Sequence, residues 1–225
     1  MLGTDPTVGL AFAADAFGRL GLGGRWAYHD AHTGRWLGAA AGRGPAVCET
    51  ADVVLDVSGV NPLRPWVADV PVRVLVDTDP AFTQIRHLVN PAARAVAAHH
   101  TAFFTFGENI EPGRSSVPDD GFHWQATRQP IVLDAWPLVP GNPAGRWTTV
   151  MQWDSYAAVE HDGLRYGMKS DSFAPYVGLP GRTGSELELA LGSPTGPRAL
   201  LRSKGWHVRD PAGPSRTPWT YRRYL

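Results

Sequence analysis

Two runs of branched apolar residues, 51–58 (ADVVLDVS) and 70–76 (VPVRVLV), constrain the fold most strongly. Neither alternates between apolar and polar positions. A strand with one wet face alternates, whereas an uninterrupted run suits a parallel sheet covered on both faces. Helical stretches over 81–89 and 91–100 follow, the first just behind Asp79-Pro80. Asp79 suits a helix N-cap and Pro80 a first helical turn. Residues 101–106 (TAFFTF) read as a third strand ending at Gly107. Strands separated by helices predict an α/β fold.

The rhythm then pauses and restarts. Upstream, 8–20 reads as a helix and 25–29 as a short strand. Residues 111–130 read as loop, and 137–146 (PLVPGNPAGR) as a linker, because prolines and glycines interrupt any apolar period. Strands follow at 147–153, 186–191 and 206–208, with helices at 197–204 and from 218, and a short helical piece at 170–177. The expected architecture is two Rossmann-like units: an N-terminal domain over 1–136, the linker 137–146, and a C-terminal domain over 147–225.

Composition narrows the partners. The formal net charge is zero, which argues against a general nucleic-acid binder. Cys48 is the only cysteine, so neither an internal disulfide nor a cysteine metal cluster is expected. No apolar stretch nears the ~20 residues of a membrane span, and the N-terminus lacks the pattern of a secretory signal. These features point to a cytoplasmic protein.

The sharpest motif is Val74-Leu75-Val76-Asp77-Thr78-Asp79, an apolar strand delivering two carboxylates at its carboxyl end. Open α/β sheets bind ligands at that edge. Three readings stay open: a divalent cation bridging a sugar diphosphate, a phosphatase nucleophile with its acid, or a cap and a turn. Glu108 and Asn109 follow the third strand and share the edge. The segment 121–130 gathers Phe122, His123, Trp124 and Arg128, the aromatic and polar groups a sugar or base site uses. In the second half, Asp154 and Ser155 directly follow a strand. Lys169 lies in a stretch resembling the tail of a phosphate loop, without the upstream glycines. His99-His100, at a helix end, read as a cap.

The ordered series VRVLVDTDPAFTQIR, FFTFGENI, GFHWQATRQPIVLDAWP, WTTVMQWDSY, YGMKSDSF, LELALG, LLRSKGWHVRDP and PWTYRRYL resembles a group of bacterial glycosyltransferase-like proteins of GT-B architecture. The likeness spans roughly residues 10–225 and matches the middle of that group. It implies transfer of a sugar from a nucleotide-sugar donor to an acceptor, with no bound metal or other cofactor. On this reading Asp79 or His123 serves as base, and Asp77, Gln84, Arg86, Glu108, Asn109 and Arg128 bind substrate. Asp154, Ser155 and Lys169 face the donor. Relatives carry a further βα unit before this region and donor-binding elements after it. The resemblance therefore implies a truncated or split transferase, slow by itself, with a second polypeptide carrying the missing half. Two alternatives stand beside it: a non-catalytic sugar-binding or assembly domain, and an Asp-x-Asp metal-dependent transferase or hydrolase.

Overall fold

A computed structural model describes residues 5–111 and 113–225. Pro112, within the segment expected to be loop, lies outside the described residues. The chain divides into two compact units, Met1–Arg128 and Gln129–Leu225. The Pro-rich stretch 137–146 thus belongs to the second unit.

The first unit opens with α1 (Thr7–Arg19), followed by the antiparallel hairpin β1 (Tyr28–Asp30) and β2 (Arg35–Leu37). Asp30 closes the hairpin turn, accepting from the Thr33 hydroxyl at 2.6 Å and the His32 amide at 2.9 Å. Those two bonds, the hydroxyl first, hold its carboxyl below the usual range. His29 lies against the rings of both Trp36 and Trp66. A short helix, α2 (Gly44–Glu49), starts where Gly44 leaves room for the Trp36 ring; a β-carbon there would lie 2.6 Å from it.

Four parallel strands follow in chain order: β3 (Val53–Val57), β4 (Val72–Asp77), β5 (Ala102–Thr105) and β6 (Trp124–Ala126). Between β4 and β5 run α3 (Phe82–Val89) and α4 (Pro91–Ala97). Asn90 caps α4, its side chain accepting from the amides of Ala92 and Ala93. α3 and α4 lie on the face of the sheet that carries Leu75. Leu75, Ile85 and Ala97 are buried on that side. The opposite face leaves Val53, Leu55 and Val57 more than half exposed. The expectation of cover on both faces therefore fails along β3, the edge strand, whereas Val74 of β4, on the same face as Leu55, is buried.

β6 was expected to be loop. It is held by Asp120, the buried residue of a mostly exposed loop ahead of it: Asp120 accepts from the Trp124 indole at 2.9 Å and bonds His87 Nδ1 at 2.7 Å. Phe122 stacks on Phe103, and Arg94 lies over the Phe122 ring.

The second unit is built on β7 (Trp147–Gln152), the antiparallel hairpin β8 (Val159–His161) and β9 (Leu164–Tyr166), and the short helices α5 (Lys169–Ser172) and α6 (Leu179–Thr183). Then come β10 (Leu187–Gly192), α7 (Arg198–Ser203), β11 (His207–Arg209) and α8 (Pro218–Tyr224). β10 lies between β7 and β11, parallel to both. Leu187, Leu189 and Leu191 face one side, packing on Met151, Leu201 and Trp206. At roughly 1.5–3 kcal/mol per buried large apolar side chain, this cluster dominates the unit's stability. On the other face the Tyr224 hydroxyl is buried beside Glu188, with no hydrogen-bond partner of acceptable geometry among the described residues. Burial first, then the Glu188 charge, push the phenol up to about 12. Among the described residues no helix is long and apolar enough to cross a membrane.

Candidate functional site

In the first unit the carboxyl edge is organised by Asp77. The end of β4 carries it to a position 1 % exposed, where Oδ2 accepts from the Thr105 hydroxyl at 2.7 Å and the Gln84 amide at 3.1 Å. Its Oδ1 accepts from the Asp79 backbone N–H at 2.9 Å. Gln84 is fully buried and turns its carbonyl oxygen back onto the Ala81 amide at 2.8 Å. The Gly107 amide donates to Thr105 Oγ1, tying the next strand end into the same network. Both oxygens of Asp77 are thus engaged inside the protein, and Gln84 with them. Neither is presented to a ligand, as both enzymatic readings of the Asp-x-Asp motif require.

Asp79 does not cap α3. The helix starts at Phe82 behind Ala81, whose φ is +75°, and Gln84 supplies the capping bond. The reason is competition: the Asp79 amide is already committed to Asp77, which bends the chain away from a direct helical start. Asp79 itself is half-buried at the edge.

Glu108 and Arg128 are brought together as an ion pair, Nε to Oε1 at 2.5 Å, with Arg128 80 % exposed. Asn109 is exposed beside Glu108. His123 is also exposed, because Phe122 and Trp124 on either side of it turn inward toward His87. Arg86 lies elsewhere, lining a cavity that reaches under α3 and α4. The structure therefore joins Asp77, Asp79 and Gln84 in one network and Glu108 with Arg128 in another.

In the second unit, Asp154 sits past the end of β7. Its amide donates to Ser193 Oγ at 3.1 Å, and the Ser193 hydroxyl donates back to the Asp154 carbonyl at 2.8 Å. Thr195 donates to Asp154 Oδ2 at 3.0 Å. Ser155 is exposed next to it, and Lys169 opens α5, which is tied to the end of β7 through the Ser170 amide and the Trp153 carbonyl. The loop 192–197 is thus stapled to β7. Arg198 braces it from behind, donating to the carbonyls of Ser193 and Leu191, both at 2.8 Å.

Against this loop lies an open cleft of ≈ 480 Å³, lined by Gly192, Ser193, Arg198, Arg202 and Arg209. Three arginines, with Asp210 beside them, thus line a cleft at the carboxyl edge of a parallel sheet. Sequence reasoning passed over them. Arg198 and Arg202 lie four apart on α7 and Arg209 ends β11, so only the β10–β11 pairing brings them together.

Two other features bear on chemistry. Cys48 is a free thiol whose pKa is raised, by partial burial first and by Glu49 second, which disfavours a thiolate nucleophile. Among the described residues no group of three His, Cys, Asp or Glu side chains is arranged to hold a metal ion. Comparison with protein-family models, with curated proteins and with solved structures returns no match.

Proposed function

We propose that the protein is glycosyltransferase-like, two Rossmann-like units in the GT-B manner, taking a nucleotide sugar on the second unit and an acceptor on the first. The observation that supports this reading is the arginine-lined cleft at the carboxyl edge of the second sheet. Ligands of open α/β sheets bind at that edge, and guanidinium forks match the paired oxygens of a diphosphate. Arg202, which also donates to the Val208 carbonyl, and Arg209, which also donates to Glu188, are the groups to contact it; Arg198 keeps its charge there while its protons hold the loop. Asp154, past the end of β7 and already accepting from Thr195, is the candidate acceptor for a ribose hydroxyl, with Lys169 on α5 adding positive charge. On the acceptor side, the exposed groups are Glu108, Asn109, His123 and Arg128. Of the two candidate bases, His123 has the open approach. A cytoplasmic location belongs to the same reading.

Titration with UDP-glucose and GDP-mannose, followed by amide NMR, is expected to shift Gly192, Ser193 and Arg209 saturably. Arg209→Ala should weaken the interaction roughly 10- to 100-fold, since a bond to a charged group contributes about 1.5–3 kcal/mol. Failure of either nucleotide sugar to perturb these residues at millimolar concentration would overturn the proposal.

A further inference from the structure

The edge strand β3 carries two kinds of unmet surface on the same three residues. The Ser58 amide donates to the Val76 carbonyl, which fixes the phase of the β3–β4 ladder. In a parallel pair, alternate residues turn their backbone groups to the neighbouring strand. Val54, Asp56 and Ser58 therefore face β4, and Val53, Leu55 and Val57 turn their N–H and C=O groups out of the sheet. Among the described residues no strand lies beyond β3, and no hydrogen bond meets those outward groups. The side chains of the same residues share one face of the sheet, where they are 51 %, 62 % and 55 % exposed.

A free strand edge templates pairing with another chain, and lysine, proline or a bulge ordinarily blunts it. Residues 53–57 hold no lysine, proline or glycine, and β3 pairs with β4 residue for residue, without a bulge. Their one charge, Asp56, is buried on the opposite face, 3.3 Å from His100 Nε2. The edge is also self-complementary. Turned antiparallel about a two-fold axis at Leu55, it sets Leu55 against Leu55 of a second copy, and Val53 against Val57. These pairs are all of the hydrogen-bonded kind, because the same residues carry the outward groups. Their apolar side chains then lie together on one face, and Asp56 stands opposite Val54 on the other. Charge and strand length select this register. A slip one way sets Asp56 opposite Asp56, and like charges directly opposite destabilise a pair. A slip the other way sets Val57 opposite Ala51, outside the strand. The formal net charge of zero adds no long-range repulsion between copies.

We propose that β3 pairs with β3 of a second copy of this chain, joining the two four-stranded sheets edge to edge in a two-fold dimer. This goes beyond the nucleotide-sugar reading and shares no residue with the arginine cleft, so either can fail alone. Sedimentation equilibrium of the full chain at micromolar to submillimolar concentration tests it. The 24.4 kDa chain is expected to approach twice that mass. Leu55→Lys, at an exposed position, sets two charges together on the axis and should weaken association roughly ten-fold or more. Cross-linking reads the register without relying on that variant. Hydrogen-bonded antiparallel pairs hold their Cα atoms about 5.5 Å apart, within disulfide reach. In a Cys48→Ser background, Leu55→Cys should therefore oxidise readily to a covalent dimer, and Val57→Cys far more slowly. A monomer throughout the concentration range, a dimer of unchanged strength in Leu55→Lys, or equally fast cross-linking of Val57→Cys would overturn the assignment.

Discussion

At the residue scale, the buried carboxylates divide by what they serve. Asp77 holds a strand end to a helix and to the next strand, so its loss should appear in stability before anything else. Asp77→Ala leaves Thr105 and Gln84 without their acceptor, and about 1–3 kcal/mol per unmet buried group follows. Urea unfolding measures it; an unchanged midpoint would mean that water replaces the carboxylate. Glu188 is the titrating counterpart in the second unit. Burial raises its carboxyl, but bonds from Arg146 at 3.0 Å and Arg209 at 3.3 Å outweigh that and leave it below the ordinary value. A depressed carboxylate contributes stability above its unfolded pKa, about 4.3, and loses it as pH falls through the lower folded value. Glu188→Gln should therefore lower stability at neutral pH and flatten its decline below about pH 4.3, read from urea midpoints across pH. Tyr224 has the opposite sign. Its phenol is raised, so the folded state keeps a proton that the unfolded chain releases above about pH 10. Tyr224→Phe should push alkaline unfolding to higher pH.

At the element scale, the strands of both parallel sheets other than β6 were legible because uninterrupted apolar runs have few other uses. The start of α3 was not. Asp79-Pro80 carries every local mark of a helix N-terminus, yet a bond to Asp77 from the Asp79 amide displaces the start to Phe82. The cost is a strained Ala81 at φ +75°, of order 1–3 kcal/mol. Ala81→Gly should raise stability by up to about that amount, and Ala81→Val should lower it sharply; thermal unfolding of the pair decides. β6 was illegible for another reason: its three residues pair with β5 only because Asp120 and His87 fix the loop ahead of them. The β8–β9 hairpin went unread although its signal was local. Asp162-Gly163 between VEH and LRY is a strong two-residue turn signal, and both residues have positive φ.

On the scale of the whole molecule, each unit carries a parallel sheet whose carboxyl edge bears polar groups, and that much follows from strand order. The arginine cleft did not, since its residues converge only through strand pairing. Core loss should be felt most in the second unit, where β10 is buried along its length: Leu189→Ala should cost about 2–5 kcal/mol, measured by hydrogen exchange at β10 amides. The strand order of the two sheets has a kinetic meaning as well. In the first, every pairing joins consecutive strands, so each closes a short loop on a partner already made. In the second, β7 must wait through a hairpin and two helices for its sheet partner β10. A chain emerging from the ribosome would therefore zip up its first sheet strand by strand, and assemble the second late, around its central strand.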